Sequence, residues 1–207
     1  MKLEGYELPA RALAAALTHA AKKDVRYYLN AVMLDFRAGR IVGTDGHRLF
    51  IGKIPVADFD AALIPRDLAA SALKAAKKEL SKGYALALSI NVGRAIAIKS
   101  VFADAEFSAD AVEVGRLLEY ERVIPRETSG EVAQFNMAYL ADTQKALALY
   151  SGKDKSRCWP HVSHNGSGPC VVTDGAMTAF CVVMPVRSSA DGDEREWFFA
   201  PLAKKAA

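Results

Sequence analysis

Cysteines and histidines form the first group of residues that could do chemistry. Cys158, His161, His164 and Cys170 lie in one short stretch, and Cys and His at short spacings are typical zinc ligands. In a strand, however, side chains alternate, so Cys158 and His161 would point to opposite faces, as would His161 and His164. The pattern therefore favours a hydrogen-bonded polar hairpin over a metal site, and we predict no cofactor.

The segment Thr44-Asp45-Gly46-His47-Arg48 places an acid beside a histidine, which could indicate catalysis. Adjacent strand and turn residues rarely converge on one substrate atom, and Asp-Gly is primarily a turn former. The sequence has no nucleophile elbow, no Gly-rich phosphate loop and no paired-carboxylate metal motif. We therefore predict a turn here and a protein that is not an enzyme.

Basic residues follow three predicted helices. On the second helix they fall at i, i+3, i+4 and i+8, which places them on one face. The complete set is Lys22, Lys23, Arg26, Lys74, Lys77, Lys78, Lys82 and Lys145. Such a face attracts phosphates without reading base sequence. The alternative is a solvated helix face, and a function at DNA requires all three helices to present the same side.

Composition limits the classes of protein to which this chain can belong. Of 207 residues, 51% are hydrophobic and 25% charged, which is typical of a globular protein and excludes a wholly disordered one. A net charge of +3 is too small to establish a polyanion partner. Three cysteines favour a reducing compartment. The sequence shows no apolar run of roughly 20 residues and no signal-peptide core, so we expect a cytoplasmic protein without a membrane partner.

Three helices are predicted to position these side chains. Pro9 and Pro65 are each expected at the first helical position, opening the Ala-rich segments ELPARALAAALTHAAKK and IPRDLAASALKAAKKEL. A third helix is predicted from about Asn136 to Leu149, with Asn136 as its N-cap. Its core face is assigned to Tyr139, Leu140 and Leu147.

Strands are predicted between the helices, and two of the strand pairs resemble each other. The predicted strands are RYYLNAVMLDF, RIVG, RLFIGKI, YALALSI, AIAIKSVF, CWPHVSH, PCVV and MTAFCVVMP. Residues 41–55 (IVGTDGHRLFIGKIP) resemble residues 171–185 (VVTDGAMTAFCVVMP). We therefore predict three helix-plus-strands modules, starting near residues 8, 64 and 135, with all helices on one side of the sheets.

Several motifs resemble the bacterial DNA polymerase III β subunit, the β sliding clamp family. DVRYYLNAVMLDF with GTDGHRL, then LIPRDLAASAL, resembles the second clamp domain, and VGRLLEYERVIP resembles the segment that leaves it. FNMAYLADTQKAL and CVVMPVR resemble the final helix and last strand of the third domain. The resemblance covers most of residues 6–187. No segment of this sequence resembles the first domain, and Glu127 to Gly130 stand where the first half of the third domain is expected.

The resemblance implies an α+β fold of the DNA-clamp type. It assigns residues 1–125 to one clamp domain, with halves at about 1–60 and 61–125, and residues 126–187 to a half-domain. Residues 188–207 form a tail, expected to be a flexible end, with a short docking segment as the alternative. The family builds a ring of six domains with twelve helices facing duplex DNA. With three modules per chain, about four chains would be needed to reach twelve helices, so the ordinary dimeric ring of the family cannot be assumed. A homo-oligomer is expected, and a ring, an open arc, a smaller oligomer and a decoy that joins a host ring are all left open.

The resemblance also implies a peptide-binding cleft between the second and third domains. The matching positions are Leu29, Thr44, Gly46, His47, Arg48, Leu49, Leu118, Arg122, Val123, Asn136, Tyr139, Val182, Val183, Met184, Pro185, Val186 and Arg187. Apolar side chains would form the floor and polar ones the rim. Leu118 replaces the usual proline of the family. For Val182, Val183 and Met184, ordinary strand core is the alternative.

The implied function is that of a clamp-like replication accessory protein. It would tether a DNA polymerase or another clamp-binding protein at duplex DNA, without reading base sequence, and would bind that partner through a short apolar peptide motif. The alternative is a truncated clamp that acts as a protein–protein module. Such a module would bind clamp-ligand peptides, or the host clamp itself, without encircling DNA.

Overall fold

The structure is a computed structural model that describes residues 2–91, 95–112, 118–175 and 178–186. It has an α+β fold with antiparallel sheets. The helices are α1 (Ala10–His19), α2 (Arg66–Ala75), α3 (Lys77–Lys82) and α4 (Met137–Ser151). The strands are β1 (Leu3–Pro9), β2 (Ala31–Asp35), β3 (Arg40–Thr44), β4 (Arg48–Lys53), β5 (Ala62–Pro65), β6 (Ala85–Ile90), β7 (Ala95–Ser100), β8 (Ala105–Asp110), β9 (His161–Ser163), β10 (Cys170–Thr173) and β11 (Ala179–Val183).

The first two modules exchange their first strands. One sheet has the order β1-β6-β7-β8, and the other has the order β5-β2-β3-β4-β11-β10-β9. Strand β1, which leads into α1, therefore lies in the sheet of the second module, and β5, which leads into α2, lies in the sheet of the first. The exchange ties residues of the two modules into one body, and the third module joins it through the β4–β11 pair.

Helix α1 lies between α2 and α4 and runs antiparallel to both. At its C-terminus, the Arg66 guanidinium at the start of α2 donates hydrogen bonds to the carbonyls of Leu17 and Ala20. At its N-terminus, Arg11 donates to the last carbonyls of α3 and lies against Gly152, directly after α4. Arginine thus satisfies helix-end carbonyls that have no partner within their helix.

The core fills the space between the helices and the sheets. Strands β6 and β7 bury alternate residues, as a sheet with one solvated face requires. Tyr6, Phe36 and Phe59 pack edge to face in sequence at centroid distances of 5.0 and 5.5 Å. Helix α1 consists largely of alanine and leucine, and its small side chains allow neighbouring elements to approach closely: a Cβ on Gly43 of β3 would lie 2.0 Å from the Ala16 carbonyl oxygen.

The structure differs from the sequence prediction in several elements. Pro9 and Pro65 are N-caps that end strands, one residue before the helices begin. Residues Tyr27–Leu29 form a 3₁₀ turn instead of the start of a strand. Strands β1, β5 and β8 are not among the predicted strands. The short β5 precedes its helix directly and has no alternating run, whereas β8 (AEFSAD) alternates apolar and polar residues and so does carry a strand signal.

The predicted second helix is two helices. The chain leaves helical geometry at Ala76, where ψ is 39°, and restarts as α3. The break accompanies the burial of Glu79, whose Oε1 accepts a hydrogen bond of 2.6 Å from the Ser100 hydroxyl. Lys74 therefore lies on α2 and the other three lysines on α3, so the prediction of one continuous basic helix face is wrong.

Within the described ranges, no helix is both long and apolar enough to cross a membrane. Some predicted features lie outside the described residues: the centre of the β6–β7 turn (residues 92–94), the first part of the connecting segment (residues 113–117), Arg187 and the tail.

Candidate functional site

The site forms where the first and third modules meet. Strands β4 and β11 pair with Leu49 opposite Val182 and Arg48 opposite Val183. Beyond the strand, the Met184 N–H donates a hydrogen bond of 2.9 Å to the His47 carbonyl. Residues far apart in the chain are thus held by backbone hydrogen bonds, which fixes the positions of their side chains.

The Thr-Asp-Gly turn before β4 is built by its own side chains. The Gly46 N–H donates to Thr44 Oγ1 at 3.1 Å, and Gly46 has φ +90°, a left-handed conformation that favours glycine. The matching turn before β11 has the same bond, from the Gly175 N–H to Thr173 Oγ1 at 3.0 Å, with φ +83°. The sequence repeat is therefore a structural repeat, and the two hairpins meet through their second strands.

Next to this junction lies a cleft with a cavity volume of about 240 Å³. The predicted residues that line it are Leu29, Thr44, Gly46, His47, Arg48, Leu49, Leu118, Val123, Val182 and Met184. The lining residues that were not predicted are Arg26, Tyr28, Glu119 and Tyr120. Tyr28 and Tyr120 lie beside predicted positions, and their amphipathic side chains are a signal that could have marked them.

The floor of the cleft is apolar and its edge is adaptable. Leu29, Leu49 and Val182 are almost fully buried beneath it. Val123 and Met184 remain 45% and 39% exposed at its edge. Methionine is flexible and polarizable, so Met184 can adapt to differently shaped apolar side chains. The exposed apolar side chains at the edge can therefore contact apolar groups of a ligand while the buried floor residues stay in place.

The connecting segment forms one wall of the cleft. Tyr120 anchors it: its hydroxyl donates to Asp35 Oδ2 at 2.9 Å, and Arg40 donates to the same hydroxyl at 3.2 Å. Burial raises the pKa of Tyr120, which keeps the hydroxyl protonated as a donor. Leu118, at the position where the family usually has proline, lines the cavity.

Arg48 joins β4 to α4 at the rim. Its guanidinium donates to Asp45 Oδ2 at 2.9 Å and to Asp142 Oδ2 at 2.6 Å. Its Cζ lies 4.8 Å from the ring centroid of Tyr139, and that ring also stacks on His47. Only 12% of the Arg48 side chain is exposed. The Arg48 charge is therefore paired within the protein and holds β4 against α4, while His47 lines the cleft. We refer to these two residues as the His47–Arg48 corner.

Several predicted cleft residues lie elsewhere. Val183 is fully buried in the main core, because neighbouring strand residues face opposite sides, so strand core was the correct alternative for it. Asn136 is the N-cap of α4, through a bond of 2.9 Å from the Ala138 N–H to its Oδ1. Tyr139 supports His47 from behind. The remaining predicted residues that do not line the cavity are Arg122, Pro185 and Val186.

A polar depression lies on the other side of the His47–Arg48 corner. It has a volume of about 580 Å³ and brings together Lys22, Lys23 and Lys145. Its acidic members are Asp24, Asp45 and Asp142. The lysines that follow α1 therefore meet the lysine of α4, but carboxylates are interleaved with them, and no lysine of the predicted second helix lines the depression.

The other predicted DNA-facing residues are dispersed. Arg26 pairs with Asp24 at 2.9 Å and lines the cleft, and this pairing lowers the pKa of Asp24 to about 2. Lys78 lies over the Phe102 ring, with Nζ 4.1 Å from its centroid. The exposed lysines Lys74, Lys77 and Lys82 accompany it on α2 and α3.

The cysteine–histidine stretch is a packed hairpin. Cys170 is buried, and its Sγ accepts from the Asn165 N–H at 3.2 Å. His164 Nδ1 accepts from the Ala133 N–H at 3.3 Å. Burial raises the pKa of both Cys158 and Cys170, which disfavours the thiolate. In the part of the chain that the structure describes, no three His, Cys, Asp or Glu side chains are grouped to hold a metal ion.

We compared the sequence and the fold with those of known proteins. No protein-family model matches the sequence. The β sliding clamp of Pseudomonas aeruginosa is 31% identical over 112 residues, which cover 51% of this chain and 29% of that protein. The crystal structure of a Caulobacter crescentus β sliding clamp matches with a TM-score of 0.64 at 16% identity, over 88% of this chain and 66% of that one.

A second solved structure agrees. A P. aeruginosa DnaN sliding clamp (DNA polymerase III subunit β), bound to griselimycin, matches with a TM-score of 0.64 at 17% identity, over 91% of this chain and 66% of that one. The chain thus spans less than two thirds of the clamps that it matches. In its fold, and in sequence over about half of its length, the protein is a partial sliding-clamp-like protein.

Proposed function

We propose that this protein binds a short apolar peptide of a DNA polymerase or another clamp-binding protein in the cleft and holds that partner near duplex DNA. The observation that carries the proposal is the cleft at the β4–β11 junction. It combines a buried apolar floor with polar rim groups fixed by the Arg48 corner. Such a combination suits a ligand that buries apolar side chains and is oriented by its backbone.

Griselimycin is a suitable probe, since it is bound to the P. aeruginosa clamp of similar fold. We expect it to bind the cleft, with displacement of a fluorescent apolar peptide as the measurement. Met184→Ala should weaken binding about tenfold, since truncating the methionine removes about 1.5 kcal/mol of apolar burial.

Met137→Ala is the matched control, because Met137 is 74% exposed on α4 and does not line the cleft. His47→Ala tests the rim. Equal binding by the Met184 and Met137 variants, or no binding by the unmodified protein, would contradict the proposal.

The role at DNA is proposed from the lysines of the helix layer. Lys22, Lys23 and Lys145 meet in the polar depression, while Lys74, Lys77 and Lys78 extend along α2 and α3. Such charges neutralise phosphates without reading sequence, and removing a lysine that neutralises a phosphate flattens the salt dependence of binding. Reversing either trio to Glu should weaken binding to a duplex and reduce the log–log salt slope by about 3.

A control trio changes the net charge by the same amount as either test trio. Lys2, Lys53 and Arg126 are exposed and lie away from the basic positions above. Their reversal to Glu should have a clearly smaller effect on duplex binding, measured by fluorescence anisotropy at several salt concentrations. If all three trios behave alike, the helix layer has no special role and only overall charge matters.

One observation favours the second candidate, a protein–protein module without DNA contact. Carboxylates of Asp24, Asp45 and Asp142 share the depression with its lysines, which weakens its attraction for phosphate. Griselimycin binding that depends on Met184, together with no duplex binding at low salt, would establish this candidate instead.

A further inference from the structure

The first two modules show how one module pairs with another. The N-cap of each helix pairs with the first residue of a strand in the other module: Pro9 with Ala85, and Pro65 with Ala31. The preceding residue is fully buried against its opposite, Leu8 against Leu86 and Ile64 against Val32.

A backbone bond closes each exchange at the helix start. The N–H of the first helical residue donates to the carbonyl just before the partner strand, from Ala10 to Tyr84 at 3.2 Å and from Arg66 to Asn30 at 2.9 Å. Each of the two modules therefore contributes one strand to the sheet of the other module and receives one strand in return.

The third module has the same pattern without a partner. Gln134-Phe135-Asn136 precedes α4 as Glu7-Leu8-Pro9 precedes α1, and β9 follows α4 as β2 follows α1. Phe135 and Val162 are the apolar residues at the two buried positions, yet both are only half-buried. Strand β9 pairs with β10 alone among the described strands, so its other edge has no neighbouring strand over His161–Ser163. Directly after it, the His164 carbonyl accepts a hydrogen bond of 3.0 Å from the chain's own Gly130 N–H, which limits the free edge to those three residues.

The backbone before α4 is oriented for such a pairing. The Gln134 carbonyl accepts from the Val186 N–H of its own chain at 2.8 Å. Because alternate residues of an extended segment direct their polar groups to opposite sides, Phe135 directs its groups away from Val186. In the described part of the chain, neither the Phe135 N–H nor the Met137 N–H has a hydrogen-bond acceptor.

Because α1 lies between α2 and α4, each of these two helices has an outer face that no other helix of the three covers. The outer faces of α4 and α2 differ in composition. On α4 the exposed face consists of Met137, Ala138, Ala141 and Lys145. On α2 the exposed residues are Asp67, Ala70, Ser71 and Lys74. The first face is mostly apolar, with Met137 74% exposed, and the second is mostly polar. An apolar helix face beside a free strand edge is typical of a surface that is buried in an assembly.

We propose that a second copy of this chain covers this surface and completes the half-domain. The two third modules would exchange strands about a twofold axis, with Asn136 opposite the partner's His161, Phe135 opposite its Val162, and Gln134 opposite its Ser163. The Met137 N–H would donate to the partner's Pro160 carbonyl, and the two α4 helices would pack antiparallel through Met137 and Ala141.

A second copy fits because the surface is self-complementary. The strand that each chain offers and the edge that it leaves free belong to the same module, so a twofold axis satisfies both at once. This is the arrangement that the chain already builds between its first two modules. The pairing depends on the module architecture and not on the proposed role at DNA, so either can fail alone.

Sedimentation equilibrium across a concentration series tests the pairing. We expect a species of twice the 22.3 kDa chain mass. Met137→Asp should raise the dimer dissociation constant at least tenfold, because it places a charge in the apolar helix contact. Val56→Asp, at a 71% exposed valine away from α4, is the matched control and should leave the dimer unchanged.

Cross-linking tests the register. One chain with Asn136→Cys is mixed with a differently tagged chain with His161→Cys and oxidised mildly. Directly opposed residues of an antiparallel pair lie within disulfide range, so a mixed disulfide dimer should form. The native cysteines are buried. Glu127→Cys in place of Asn136→Cys should not cross-link. A monomer at all concentrations, or a dimer insensitive to Met137→Asp that forms no mixed disulfide, would overturn the proposal.

Discussion

The cleft and the polar depression lie on opposite sides of one corner, His47–Arg48, and differ in how they are built. The cleft takes its apolar floor from strands that the β4–β11 pairing brings together. The depression collects charged side chains from helix ends and loops and contains both signs. The comparison shows that backbone pairing fixes an apolar site precisely, whereas charges gathered at a helix end are partly neutralised by one another.

The largest expected effect concerns His19, which lies behind the corner between α1 and α4. It is fully buried, with Nε2 3.4 Å from Thr143 Oγ1 and Nδ1 2.8 Å from Thr18 Oγ1. Burial, aided by the Arg48 charge, lowers the pKa of His19 to about 3, against the partly opposing charges of Asp45 and Asp142. The neutral imidazole is therefore part of the folded state.

Acid should consequently destabilise the protein through His19. Below pH 6.5 the unfolded chain binds a proton that the folded chain does not, so stability falls with pH until the folded pKa is reached. Between pH 6.5 and the folded pKa of about 3 the contribution reaches about 4 kcal/mol. Urea unfolding at several pH values should show a flatter pH dependence for His19→Gln. Equal slopes for both proteins would mean that His19 is not buried as neutral imidazole.

The next effect tests whether one corner supports both sites. Arg48→Ala leaves Asp45 and Asp142 without their partner and removes the contact with Tyr139. We expect a loss of about 3 kcal/mol in the free energy of unfolding, together with weaker griselimycin binding. Arg37→Ala removes two exposed ion pairs and should cost about 0.5 kcal/mol or less. Similar losses in the two variants would argue against a structural role for the corner.

The smallest effect separates the cleft from its structural repeat. Gly46→Ala and Gly175→Ala each place a Cβ on a left-handed residue of the same turn, at a cost of about 1 kcal/mol. Only at Gly46 would the Cβ meet Arg26, 2.9 Å from Nη1. We therefore expect similar losses of stability in thermal unfolding, but weaker griselimycin binding for Gly46→Ala alone. If both variants bind normally, Arg26 does not shape the cleft.

Much of the fold could be predicted from sequence, and the failures share a cause. The third helix, its Asn136 cap and the repeated Thr-Asp-Gly turns are local features, set by side chains within a few residues. The break at Ala76 could not be predicted, because it accompanies burial of Glu79 against Ser100, which is distant in the chain. The exchange of β1 and β5 is equally non-local, since their partner strands β6 and β2 belong to other parts of the chain.

The sequence by itself determined α1, α4 and the repeated hairpins, because local preference and alternation depend on near neighbours. Most of the apolar cleft residues came from the resemblance to the clamp family and not from such local patterns. Only the tertiary structure decided that Val183 faces the core, that Arg26 lines the cleft beside Asp24, and that three lysines share their depression with carboxylates. Those outcomes depend on which elements pack together, and a side chain's partners across such an interface leave no pattern in its own segment of the chain.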